Sequence, residues 1–186
     1  MTQGQKTKNI ILEASAKSFY EKGYDATSFS DIVKITRLSK GNITYHFKTK
    51  KDIVKAIIAL KTLELESMMK EWEKNTSSPK KRLYLFCQMI IDSKDELQNY
   101  GCPIGTMISE FAKNNEILHP LSLLMFKHLI SWCSEQYILM DYTKKEAKRH
   151  AMRLLSRLQG IALVGHTFRD TEFIEDEVRE LQKMYM

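Results

Sequence analysis

Three observations predict an all-α fold for this chain. Apolar residues recur with a helical period along almost the whole sequence, strand-like alternation does not persist in any stretch, and only three prolines and seven glycines interrupt 186 residues. The pattern predicts about nine helices: three short ones, a long fourth, and a larger helical body. Internal repeats and low-complexity tracts are absent from the sequence.

The first helix is expected over residues 6–21, where Leu12, Ala16, Phe19 and Tyr20 fall at i, i+4, i+7 and i+8 on one apolar face. Gly23 stops it. In "TSFSDI", Ser28 can cap the second helix with Asp31 as its capping-box partner, and Phe29, Ile32 and Val33 form a short apolar face. A turn follows near Thr36–Leu38, and Ser39 can cap the third helix. On that helix Ile43 and Phe47 share a side, while Gly41, Asn42, Thr44 and Tyr45 point away from it. Three short helices, the last two tightly joined, make a helix-turn-helix.

Thr49 and Asp52 form another capping box, so a fourth helix begins at Lys50 and continues to residue 72. At a rise of about 1.5 Å per residue it spans more than about 30 Å. The loop "NTSSPKK" ends it. Helices follow over 80–98, 103–113, 117–140, 144–167 and 171–185, and Thr143 with Glu146 supplies a third capping box. The last two helices carry more apolar surface than one core face needs. Leu155, Leu158, Ile161, Ala162, Phe173, Val178 and Leu181 are therefore expected at a homodimer interface. Residues 1–50 are expected to form a helix-turn-helix domain, and residues 51–186 a larger helical domain that carries the dimer interface.

The net charge is +6, and it is not evenly spread. Residues 1–51 hold ten Lys/Arg against four Asp/Glu, whereas the remainder holds nineteen of each. A basic terminal module on a neutral body suits a polyanion. Within "LSKGNITYHFKTKKDI", Lys48, Lys50 and Lys51 crowd the start of the fourth helix, where cations oppose the helix dipole. A bound phosphate would make that arrangement favourable, since free N–H groups at a helix N-terminus hold anions. Gly41 lets the backbone approach a duplex closely. Asn42 can pair with an adenine edge and Lys40 with a guanine edge in the major groove.

The stretch "IILEASAKSFYEKGYDATSFSDIVKITRLSKGNITYHFKTKKDIVKAII" resembles the DNA-binding domain of the TetR family of transcriptional repressors. The likeness covers about the first sixty residues, and the helical layout beyond agrees with that family. It implies that Thr27 and Ser28 hold phosphate, and that Ser39, Lys40, Gly41, Asn42, Thr44, Tyr45 and His46 form the recognition helix. It further implies that Lys50 meets the DNA backbone. Thr44 stands where the family more often has tyrosine, and Tyr45 lies on a different angular face.

Several other groups are candidates. Met68, Met69, Trp72, Phe86, Met89, Phe111, Met125, Phe126 and Trp132 form an adaptable apolar and aromatic set suited to lining an effector pocket, against the plainer alternative of core packing. Cys102, in "GCPIGTMISE", sits at the cap of a helix opened by Pro103 and is a possible thiol sensor, against the alternative of a small residue in a tight turn. The cysteines and histidines show no zinc spacing, and nothing calls for a metal or a cofactor. No pair of carboxylates is framed by a catalytic motif, so an enzyme has no positive support. No run is long and apolar enough for a membrane span, no signal peptide opens the chain, and three scattered cysteines suit a reducing cytoplasm.

The expectation is a cytoplasmic homodimeric regulator that binds a palindromic operator in double-stranded DNA and is released by a small apolar effector. A thiol-responsive repressor using Cys102 is the alternative within regulation. A helical lipid or ligand carrier with a basic membrane-facing N-terminus is the alternative of another class; the helix caps and the lack of a broad apolar membrane face count against it.

Overall fold

The computed structural model describes residues 2–114 and 117–186. Among them the chain is all-helical, as expected. The helices are α1 (Gln3–Lys22), α2 (Phe29–Thr36), α3 (Lys40–His46), α4 (Lys50–Asn75), α5 (Pro79–Asp92), α6 (Lys94–Tyr100), α7 (Pro103–Asn114), α8 (Leu118–Ile138), α9 (Lys144–Phe168) and α10 (Thr171–Gln182). A 3-10 turn (Lys183–Tyr185) closes the chain.

The capping boxes form. The Asp31 N–H donates to Ser28 Oγ at 3.1 Å while the Ser28 N–H donates to the Asp31 carboxylate at 3.0 Å. Thr49 with Asp52, and Thr143 with Glu146, repeat the exchange. Hydrogen bonds from Ser28 and Thr143 hold the Asp31 and Glu146 carboxyls below their ordinary range. Gly23 ends α1 at φ 90°, a backbone region that glycine adopts without strain. The segment 80–98, expected as one helix, is two. Ser93 takes φ −110° and ψ 15°, and its N–H turns back to the Ile91 carbonyl. Asp92 and Ser93 are residue types whose side chains compete for backbone groups, which weakens a helix at that point.

The chain folds as two compact units. The first comprises Met1–Glu64 and Met107–Ser122, the second Leu65–Thr106 and Leu123–Met186. In the first, Ile11, Leu12, Ile32, Ile43, Phe47, Ile53 and Ile57 form one core, drawing on α1 to α4. Ile43 is the one buried residue of α3, so the position of that short helix rests on a single fully buried side chain. Tyr24 packs edge-on against Phe19 at 5.4 Å and Phe111 at 5.2 Å, which ties α7 residues into the same unit.

In the second unit α5, α9 and α10 supply most of the core, through Leu83, Phe86 and Ile90, Leu154 and Leu158, and Ile174, Val178 and Leu181. Buried polar groups are paired there. Trp132 Nε1 donates to Glu73 at 2.8 Å, Arg82 to Gln136 at 3.1 Å, and the Tyr137 and Tyr185 hydroxyls meet at 2.6 Å, fastening the C-terminal turn.

Ile43→Ala should remove the anchor of α3 and leave a cavity. The expected loss is about 2–5 kcal/mol in denaturant unfolding of the first unit, with helical content in the second unit retained when followed by circular dichroism.

Candidate nucleic-acid interface

The outer face of α3 is built by subtraction. Ile43 points into the core and Phe47 caps the helix from below at 5% exposure, so the remaining side chains face outward. Ser39 closes the helix start by accepting the Asn42 N–H at 3.1 Å. Lys40, Gly41, Asn42 and Tyr45 are exposed, Tyr45 at 79%. Thr44 is half-buried, and its hydroxyl donates to the Lys40 carbonyl of its own helix at 2.9 Å. His46 lies at the end of the helix with its ring edge-on to Tyr45 at 5.1 Å. A Cβ added at Gly41 would meet only Ser39 Oγ, at 3.9 Å. Nothing within the chain therefore demands a glycine at this position, which points to close approach by something outside it.

The α1–α2 loop is held from two sides. Lys50 Nζ donates to the Tyr24 carbonyl at 2.6 Å and the Thr27 carbonyl at 2.9 Å, and lies 3.9 Å from the centre of the Tyr24 ring. Burial pushes the Lys50 ammonium below its ordinary value, partly offset by the Asp25 and Glu110 carboxylates. On the other side Glu110, from α7, accepts the N–H groups of Tyr24 at 3.0 Å and Asp25 at 2.8 Å. Thr27 is 1% exposed, and its hydroxyl donates to the Gly23 carbonyl at 2.9 Å beside Ser18 Oγ.

These placements depart from two expectations. Thr27 and Lys50, which the resemblance assigns to phosphate, are turned inward and already partnered by loop carbonyls. Ser28 is exposed but engaged with Asp31, its Oγ donating to the carboxylate at 2.6 Å. The exposed cations at the start of α4 are Lys48 and Lys51. Both stood in the lysine cluster read from the sequence, yet neither was singled out. Glu110 had no sequence signal at all, since it lies 85 residues from Asp25.

In the second unit, Met69, Phe86 and Trp132 are buried in the main core, with Trp72, Met89 and Phe126 packed against it. Trp132 lies 5.6 Å from Trp72 and 6.1 Å from Phe86. Met68 is half-buried and Met125 buried. Phe111 does not join this group. It belongs to the first unit and packs on Tyr24. Of the residues expected at a dimer interface, Leu155, Leu158, Ile161, Ala162, Val178 and Leu181 are buried in the chain's own core and Phe173 is packed against it. The apolar side chains that α9 exposes are Met152, Leu163, Val164 and Phe168. Cys102 is half-buried, and its Sγ accepts from the Gly105 N–H at 3.4 Å and from Gln159 at 3.3 Å. Burial pushes the Cys87 thiol up to about 12 and Cys133 higher still.

Residues 11–57 match the family model described as bacterial regulatory proteins, tetR family. The chain is 28% identical over 126 residues to the HTH-type transcriptional regulator QacR of Staphylococcus aureus, a match covering 66% of this chain and 64% of that protein. It is also 28% identical over 180 residues to an uncharacterised HTH-type transcriptional regulator of Lactococcus lactis, covering 91% of this chain and 88% of that one. A TetR-family regulator from Agrobacterium tumefaciens has the same fold, with a TM-score of 0.85 at 20% identity and 98% of each chain covered. No described helix is long and apolar enough to cross a membrane.

Two substitutions separate anchoring from contact. Lys50→Ala should leave two loop carbonyls without their cation and lower stability by about 1–2 kcal/mol in thermal or denaturant unfolding. The slope of DNA affinity against salt should stay unchanged; a slope shallower by about one phosphate would show a direct contact. Gly41→Ala should do the reverse, raising stability by about 0.5–1 kcal/mol through helix propensity while lowering duplex affinity in a fluorescence anisotropy titration.

Proposed function

Given that the chain is a transcriptional regulator of the TetR family, we propose that it is a homodimeric repressor released from a palindromic operator by a small apolar effector. Regulators of this family bind operator DNA and small-molecule effectors and act as dimers. The observation that carries the finer reading is the outward face of α3, where Lys40, Asn42 and Tyr45 stand exposed around a glycine that the chain itself does not need. The first unit, Met1–Glu64 with Met107–Ser122, supplies the DNA-reading head in place of the simple division at residue 50, and the second, Leu65–Thr106 with Leu123–Met186, the effector-binding and dimerising body.

Asn42 is the side chain for an adenine edge and Lys40 for a guanine edge. Lys48 and Lys51, exposed at the N-terminus of α4, meet phosphates, while Lys50 and Glu110 hold the loop that orients α2. Two copies of α3 then read half-sites about 34–36 Å apart. The effector occupies the aromatic and methionine-rich interior around Trp72, Met89, Phe126 and Trp132. It favours a conformation in which α4 shifts and the half-site spacing no longer fits, which is coupling through a two-state element. The copies meet along the exposed face of α9, through Leu163 at 65% exposure, Val164 and Phe168 at 75%, where a Cβ added at Gly160 would point into open space. The regulator works in the cytoplasm, where its operator is.

Asn42→Ala tests the reading. It should cost about 1–3 kcal/mol on the operator and relax preference at one base pair per half-site, with little change on random DNA across a salt series. Equal weakening on both DNAs would show that Asn42 does not read bases.

A further inference from the structure

Helix α1 overhangs its own core. Its buried residues begin at Ile11 and continue through Leu12, Ser15 and Ser18, whereas residues 3–10 bury none. About 12 Å of helix therefore runs beyond the packed part. Gly4, Lys8, Ile11 and Ser15 fall at i, i+4, i+7 and i+11, so the face that enters the core continues down the overhang as Gly4 and Lys8. A glycine and a cation stand there in line with the side chains that pack further on.

The overhang lies beside the end of the recognition helix. A Cβ added at Gly4 would come no closer than 3.9 Å to His46 Cε1, and Lys8 Nζ lies 5.9 Å from the centre of the Phe47 ring. A glycine inside a helix weakens it relative to alanine, and the contacts on this face leave room for a methyl group. The segments that meet here, residues 2–12 and 38–51, hold six lysines and no carboxylate. The four carboxylates of residues 1–51 all lie between them, at Glu13, Glu21, Asp25 and Asp31. Lys6, Lys8, Lys40, Lys48 and Lys51 are exposed, and among the described residues no ion pair within 4 Å reaches them. A surface of one sign, unpaired within the chain, suits a polyanion.

We propose that the overhanging face of α1 lies along the DNA backbone beside the bases that α3 reads, with Lys8 meeting a phosphate and Gly4 letting the helix come close. The proposal rests on the DNA-binding reading and widens its footprint beyond the recognition helix. His46 ends α3 next to Gly4, so the α3 face and the α1 overhang are continuous, and Lys40, Lys48 and Lys8 give both the same sign. A phosphate carries no sequence, so this contact adds affinity and fixes orientation without adding base preference. Lys6 stands about 200° around the helix from both Gly4 and Lys8 and points away from the duplex.

The test is duplex affinity across a salt series, read by fluorescence anisotropy on an operator selected from a random pool and on a random-sequence duplex. Lys8→Ala should bind both DNAs about tenfold more weakly at about 0.1 M salt for each subunit engaged, with a salt slope shallower by about one phosphate per subunit. Lys8→Gln, which keeps the stem over Phe47, should behave like Lys8→Ala, and Lys8→Arg should keep the parent slope. Lys6→Ala removes the same charge from the far face and should leave the slope unchanged. Gly4→Gln should weaken both DNAs while circular dichroism stays as in the parent, because the position is exposed. A parent chain that binds neither duplex would overturn the DNA reading and this proposal together. A parent chain that binds DNA, with Lys8→Gln keeping its slope or Lys6→Ala losing as much, would leave that reading standing and overturn the α1 contact. So would a Gly4→Gln chain that binds as the parent does, or a Lys8→Gln loss confined to the operator, which would make Lys8 a reader of bases.

Discussion

The six-residue loop between α1 and α2 is the constraint on which the reading head depends. A loop of this length has no ladder of its own, and its backbone groups need partners from elsewhere. Lys50 supplies them for the carbonyls of Tyr24 and Thr27, and Glu110 for the N–H groups of Tyr24 and Asp25. The Tyr24 ring lies under the ammonium and against Phe111, so apolar packing and charge act on the same few atoms. With the loop satisfied on both edges, the direction in which α2 leaves it is set. The turn from α2, closed by Arg37 at φ 56°, then delivers α3 with Ile43 inward and Asn42 outward. A cation here serves position, while Lys48 and Lys51 of the same cluster stay exposed.

What could be read from the sequence was local. Helix starts are written in pairs three residues apart, so Ser28 with Asp31, Thr49 with Asp52 and Thr143 with Glu146 all appear where their spacing places them. The inward and outward sides of α3 follow from angular position alone. What could not be read was the partner of a long side chain. Lys50 sits beside Lys48 and Lys51 in the sequence and shares their chemistry, yet only its own ammonium reaches back 26 residues to the Tyr24 carbonyl. The same limit hid Thr27, whose hydroxyl is spent on the Gly23 carbonyl.

The C-terminal helices expose a different ambiguity. Periodicity marks an apolar stripe but does not say whether the stripe meets the chain's own core or another molecule. On α9 both kinds of residue are present. Leu155, Leu158, Ile161 and Ala162 serve the core, while Leu163 and Val164, one and two positions beyond Ala162, and Phe168 further on are exposed. Counting the apolar residues signals a surplus; only burial tells which of them are the surplus. Phe111 packs on Tyr24 in the first unit and not with the body aromatics, for a related reason. An aromatic residue in a helix is equally at home in either unit, and its neighbour Tyr24 lies far away in sequence.

The first unit is discontinuous along the chain, and that has a consequence for how the protein is made. At about 5–20 residues per second, the ribosome adds Glu110 some seconds after it has added Asp25. During that interval the three N-terminal helices can collapse around Ile11, Ile32 and Ile43, but the loop N–H groups of Tyr24 and Asp25 have only water to bond. The head is complete only after α7 has been synthesised. A nascent or proteolytically shortened chain ending at Glu64 would therefore carry a recognition helix of the right sequence on a loosely aimed mount, and such fragments would compete poorly with the whole protein for its operator.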